Sequence, residues 1–218
     1  MTSVHAMTSV DAATSVVATD FIHRFEPGTD ATRAPLLLLH GTGGDENDLI
    51  PLGRQLAPGA SLLSPRGKVL EGGAPRFFRR LAEGVFDEDD LRRRTDELAG
   101  FIAEARERYG LAAPVAVGFS NGANIAAAML LQRPEALAGA ALLRAMSPFH
   151  APPRADLAGK RVLILSGALD PIVPAENAER LSTTLAAAGA LVDHRVLPAG
   201  HGLSQADLGL LRDWLERR

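Results

Sequence analysis

Two runs of four consecutive aliphatic residues, Leu36-Leu37-Leu38-Leu39 and Val162-Leu163-Ile164-Leu165, carry no polar alternation. A strand with one face in water alternates apolar with polar side chains. Uninterrupted runs of strand length instead fit strands buried on both faces, as in a mostly parallel sheet covered by helices. The rest of the sequence fits that architecture. Further strand candidates occupy residues 21–25, 61–64, 115–118, 138–143 and 192–197, and the second aliphatic run extends to 161–166. Between them, helical periodicity runs over 46–56, 88–109, 121–131, 175–188 and 204–217. Asp87 is suited to cap the helix that begins with Glu88, Asp89 and Asp90, and Gly110 to end it. Residues 66–86 are the least regular stretch and read as a long surface excursion, a kind of loop that is commonly functional.

With 218 residues, 46% of them hydrophobic and 22% charged, the chain can bury a substantial core, and residues 20–218 read as a single α/β domain. Residues 1–19 repeat Thr-Ser-Val units and read as a disordered low-complexity tail. This stretch has neither the basic start nor the continuous apolar segment of a secretory signal. No apolar run approaches the ~18 residues that span a bilayer, so the expectation is a cytoplasmic protein with no membrane partner. A net charge of −3 with scattered arginines gives no footprint for nucleic acid. The chain has no cysteine, which excludes disulfides, a thiolate nucleophile and cysteine-ligated metal.

Chemistry enters at Gly118-Phe119-Ser120-Asn121-Gly122, a serine between two glycines that follows a strand candidate and opens an alanine-rich helix. This is the context of a nucleophile elbow, in which a strained turn presents the hydroxyl above the sheet edge. A glycine-rich turn alone could give the same pattern, so its companions decide. Asp170 follows the strand at 161–166 and His201 follows the strand at 192–197, both at carboxyl ends, where open α/β sheets place their sites. The order Ser, Asp, His is that of a catalytic triad on this architecture. The other histidines fit less well. His5 lies in the tail, His23 and His194 within strands and His150 in a proline-rich connection, while His40 reads as support for the loop that follows it. That loop, His40-Gly41-Thr42-Gly43-Gly44, lacks the spacing of a nucleotide-binding motif. Its Thr42 N–H and the Asn121 N–H are the candidate oxyanion donors. Phe77, Phe78, Met146, Phe149 and Leu203 are candidate pocket residues, for each of which core packing is an equal alternative.

Four motifs in order, 38–45, 118–122, 167–174 and Ala199-Gly200-His201-Gly202, resemble those of the phospholipase/carboxylesterase family of α/β-hydrolases, and the match spans nearly everything after residue 20. The segment from Pro75 to Phe86 is similar to a bacterial subgroup described as dienelactone-hydrolase-like, although true dienelactone hydrolases use a cysteine that this chain does not have. The resemblance implies an α/β-hydrolase fold with no large cap domain. It also implies a triad of Ser120, Asp170 and His201, with no metal or organic cofactor. The expected activity is hydrolysis of small-molecule carboxylic esters of short or medium acyl chain. Thioester hydrolysis on acyl-protein or acyl-CoA substrates and a non-catalytic binding role on the same fold are the competing readings. Oligomeric state stays open, with a homodimer as the candidate assembly.

Overall fold

The structure, a computed structural model, describes residues 21–217, so the tail expected at 1–19 lies outside the described residues. Leu36–Leu39 forms β2, and all four of its leucines are buried because successive side chains enter two different cores. Leu37 and Leu39 join the cluster on one face of the sheet, Leu36 and Leu38 the cluster on the other. The same division holds along Arg161–Gly167 (β10), where Val162 and Ile164 pack on one side and Leu163 and Leu165 on the other. This two-sided burial is the reason that neither run alternates.

The remaining strands of the main sheet are His23–Glu26 (β1), Leu62–Pro65 (β3), Val115–Phe119 (β8), Gly139–Leu143 (β9) and Leu191–Leu197 (β11). Their spatial order is β1-β3-β2-β8-β9-β10-β11. β1 is antiparallel to β3, and every other neighbouring pair is parallel. From β2 the chain moves outward to β3 and then returns to β8 on the other side of β2. The carboxyl ends of β2 and β8 therefore flank a topological switch point, the crevice where such sheets bind ligands.

Glu88–Tyr109 (α2), Asn121–Gln132 (α3) and Ala175–Ala187 (α4) cover one face, and Ile50–Leu56 (α1) and Gln205–Glu216 (α5) cover the other. The caps expected for α2 are present: the Asp87 side chain accepts a hydrogen bond from Asp90 N, and Gly110 closes the helix at φ 65°. The helix expected from residue 46 begins only at Ile50. Pro51 sits in its first turn, and a proline is tolerated there but not further inside a helix. The Asp45 carboxylate meanwhile holds residues 45–47 in a turn by accepting from Asn47 N at 2.7 Å.

Residues 66–86 depart from the expected surface excursion. They form two hairpins, Val69–Glu71 (β4) with Ala74–Arg76 (β5), and Arg80–Ala82 (β6) with Val85–Phe86 (β7). The first turns through Gly72-Gly73, both at positive φ as a tight hairpin requires. Between the hairpins the chain dips into the core, leaving Phe77 2% and Phe78 0% exposed. Phe78 packs edge-to-face on Phe86 with ring centroids 5.0 Å apart. Phe78→Ala should cost about 3–5 kcal/mol of folding stability, the usual range for deleting a buried phenylalanine ring, measured by denaturant titration.

Candidate active site

The site begins with how closely α3 approaches two strands. A Cβ on Gly118 would sit 2.6 Å from Gly122 O, and one on Gly122 would sit 2.0 Å from Leu39 O. Only glycine fits either position, and the helix start is thereby pressed against the ends of β8 and β2. Ser120 lies at the turn between β8 and α3 with φ 52° and ψ −115°, a backbone conformation that costs a non-glycine residue energy. Two backbone bonds hold it there: Ser120 N donates to Leu143 O at 2.8 Å and Asn124 N donates to Ser120 O at 3.0 Å.

The structure brings together the three side chains singled out in the sequence. Ser120 Oγ lies 3.0 Å from His201 Nε2, and His201 Nδ1 lies 2.9 Å from Asp170 Oδ2. Asp170 has no exposed side-chain surface, and its other oxygen accepts from Ile172 N at 2.8 Å and Val173 N at 3.1 Å. With both oxygens engaged, its carboxylate is fixed in orientation. The loop that bears Asp170 meets the loop that bears His201 at Gly167, where a Cβ would fall 2.4 Å from Ala199 O. Leu169 N also donates to Ala199 O at 3.0 Å.

Arg144 was not singled out from the sequence, yet it organises this region. It follows β9 at φ 57° and is 1% exposed. Its guanidinium forms a bidentate pair with Asp207 at 2.8 and 2.9 Å and donates to Gly200 O at 2.9 Å, Gly202 O at 3.1 Å and Leu165 O at 3.1 Å. The two glycine carbonyls bracket His201. Burial pushes the Asp207 carboxyl upward, but hydrogen bonds from Arg144 and Ser204 outweigh it and leave the pKa below its ordinary value. The signal in the sequence was a lone arginine at the end of five apolar residues, paired with an aspartate in the first turn of the last helix.

At the end of β2, Gly43 turns at φ 85° and its N–H donates to Pro75 O at 2.9 Å, which ties the glycine loop to β5. Arg76 Nη1 donates to Thr42 Oγ1 at 2.7 Å. His40 supports the loop: Nδ1 lies 2.6 Å from Gly41 O and Gly67 N donates to Nε2 at 3.0 Å. Accepting at Nε2 requires a neutral ring protonated at Nδ1. Asn121 begins α3, where backbone donors have no intrahelical acceptor. Its side chain accepts from Phe77 N at 2.7 Å.

A cavity of about 340 Å³ opens in front of Ser120, and Thr42, Asn121 and His201 also line it. Of the five pocket candidates only Met146 contributes to its wall. Phe77, Phe78 and Phe149 belong to the core, and Leu203 packs against the opposite hydrophobic cluster. The walls are instead Arg76, Arg80, Phe86, Phe119, Ile172 and Val173. Periodicity in the sequence could not identify Arg76, Arg80 and Phe86, because the hairpins decide which residues face inward. Phe119 reaches the cavity from the end of β8, and Ile172 and Val173 from the loop that bears Asp170. A larger cavity of about 550 Å³ lies at the amino ends of the strands, beside Leu36, Val115, Gly139 and Arg161, and contains none of these groups.

Two outcomes follow from this geometry. Arg144→Met leaves the Asp207 carboxylate buried without its partner, so unfolding free energy should fall by about 3–5 kcal/mol in urea titration. Burial lowers the His40 pKa below its usual 6.5 in the fold. The unfolded chain therefore binds more protons in acid, and this contribution to stability is present above about pH 6.5 and is lost as pH falls through the lower folded value. Thermal midpoints should drop more between pH 7 and 5 in the parent than in His40→Asn.

The profile of the alpha/beta hydrolase fold matches residues 34–161. The chain is 46% identical over 194 residues to the Bacillus subtilis (strain 168) protein named "Putative hydrolase MhqD", covering 88% of this chain and 96% of that one. The crystal structure of the Bacillus cereus carboxylesterase superposes with a TM-score of 0.88 at 46% identity, covering 90% of this chain and 94% of the other. A Mesorhizobium loti carboxylesterase gives a TM-score of 0.85 at 36% identity, with 91% and 95% covered. With the sheet order, the serine turn and these relatives in agreement, the chain is a hydrolase that belongs to the α/β-hydrolase family.

Proposed function

We propose that this chain is a serine carboxylesterase that cleaves small-molecule esters of short or medium acyl chain through Ser120, His201 and Asp170. The observation that carries the reading is the unbroken hydrogen-bond chain from Ser120 Oγ through His201 to Asp170, at 3.0 and 2.9 Å, at the mouth of the cavity. Carboxylesterases among its relatives support the reaction class.

In this mechanism Ser120 Oγ attacks the ester carbonyl carbon while His201 Nε2 takes its proton. Asp170 keeps the proton of the imidazole on Nδ1 and stabilises the imidazolium that forms. The carbonyl oxygen becomes an oxyanion between the Thr42 and Asn121 N–H groups, donors of a kind worth about 3–4 kcal/mol each in related chemistry. His201 returns its proton to the departing alkoxide, leaving an acyl group on Ser120. Water, deprotonated by His201, then attacks the acyl carbon, the bond from that carbon to Ser120 Oγ breaks as His201 returns the proton to Oγ, and the acid is released. A cavity of about 340 Å³ lies at the small end of ligand sites, which favours short or medium acyl groups. Because His201 and Asp170 ride on loops rather than on regular elements, the hydrogen bonds of Arg144 would keep the base in register through both half-reactions.

Steady-state hydrolysis of p-nitrophenyl esters from acetate to palmitate tests the reading. Turnover should peak at short or medium chains. Ser120→Ala should lower kcat by about 10⁵-fold or more and Asp170→Asn by about 10⁴-fold, each with little change in folding stability. A preference for palmitate, or a Ser120→Ala variant that keeps its rate, would overturn it.

A further inference from the structure

The last strand of the sheet reads nearly the same in both directions: Leu191-Val192-Asp193-His194-Arg195-Val196-Leu197. The one asymmetric pair about His194 is Asp193 and Arg195, which carry opposite charges. β11 is also the open edge of the seven-stranded sheet, since among the described residues β10 is its only strand neighbour. Sheet edges are usually blunted by proline, unpaired charges such as lysine, a bulge or short length. This strand has no proline or lysine, pairs its two charges Asp193 and Arg195 with each other, keeps unbroken register with β10 over seven residues, and leaves Leu191 62% and Val196 58% exposed. The edge at the other side, β1, is only four residues long.

We propose that β11 is the homodimer interface of this protein, formed by two copies pairing antiparallel about a two-fold axis at His194. The direction of the backbone groups fits this register. Leu191 N donates inward to Lys160 O, and Ala168 N donates to Leu197 O. In a parallel ladder the intervening residues then turn their N–H and C=O groups outward, which leaves Val192, His194 and Val196 to face a partner. Centred on His194, these residues meet as hydrogen-bonded pairs, His194 with the partner's His194 and Val192 with the partner's Val196, giving up to about six inter-chain bonds. The positions between them form the closer, non-hydrogen-bonded pairs. There Asp193 faces the partner's Arg195 and Arg195 faces the partner's Asp193.

Asp193 and Arg195 already form an ion pair along their own strand, with Arg195 Nε 2.6 Å from Asp193 Oδ1 and the arginine side chain 56% exposed. Doubling it about the axis gives a ring of alternating charges, and like charges stay off the directly opposed positions. Moving the axis by one residue in either direction, a slide of two residues between the strands, would align like with like, Asp193 against the partner's Asp193 or Arg195 against the partner's Arg195. The charges thus select the register centred on His194. A second copy is the occupant whose pattern of backbone groups, apolar side chains and charges matches this edge.

The test is sedimentation velocity of the full chain across micromolar concentrations, with far-UV circular dichroism to confirm folding. The parent should be a dimer. Asp193→Arg places arginine against arginine, and Arg195→Asp places aspartate against aspartate. Each variant alone should therefore dimerise on the order of a hundredfold more weakly. Mixing the two variants restores opposite charges only between chains, so the mixture should recover a dimer although neither strand regains its internal pair. A monomeric parent, dimers that persist in both variants, or a mixture that stays monomeric would each overturn the proposal.

Discussion

A single buried guanidinium holds the parts of this site in relation to one another. Arg144 follows β9 in a left-handed backbone conformation, and its five donated bonds reach β10, the loop on either side of His201, and the first turn of α5. Burying a charge costs several kcal/mol before any pairing, and a buried ion pair often contributes little net stability. Its value lies in geometry. The loop carrying His201 has no regular structure of its own, yet the ring lies within hydrogen-bond reach of Ser120. Carbonyl groups on both sides of His201 converge on one rigid planar donor, which constrains the loop more tightly than apolar packing would.

The sheet supplies the other half of the constraint. Because each central strand is apolar on both faces, helices pack on both sides, and the only way out for functional residues is past the carboxyl ends. Ser120, Asp170 and the glycine loop all take that route. The glycines at 118 and 122 then bring α3 to within contact distance of β2, so the serine turn and the loop that follows Leu39 share one wall of the crevice.

What the sequence revealed and what it concealed divide along physical lines. Ser120 and Asp170 could be placed from the sequence because each follows an apolar strand, and His201 because it follows the last strand, before the last helix; position after a strand fixes position in space. His40 was legible as a supporting residue for the same reason. The pocket wall was not. Phe77 and Phe78 resemble exposed aromatic residues in an irregular segment, but two short hairpins turn them into the core and turn Arg76, Arg80 and Phe86 toward the cavity. Such reversals depend on hairpin register, which no local periodicity encodes. Arg144 was hidden because its partner lies 63 residues away.

The first hairpin is bonded to the glycine loop through the Gly43 N–H and through Arg76 on Thr42. The segment that lines the cavity and the loop that bears Thr42, the proposed oxyanion donor, are therefore mechanically one unit. Grafting a different hairpin to accept a new ester would also shift the loop beside Ser120. Selectivity and turnover in this enzyme would then change together, and a laboratory search for broader substrate range would have to alter both segments at once.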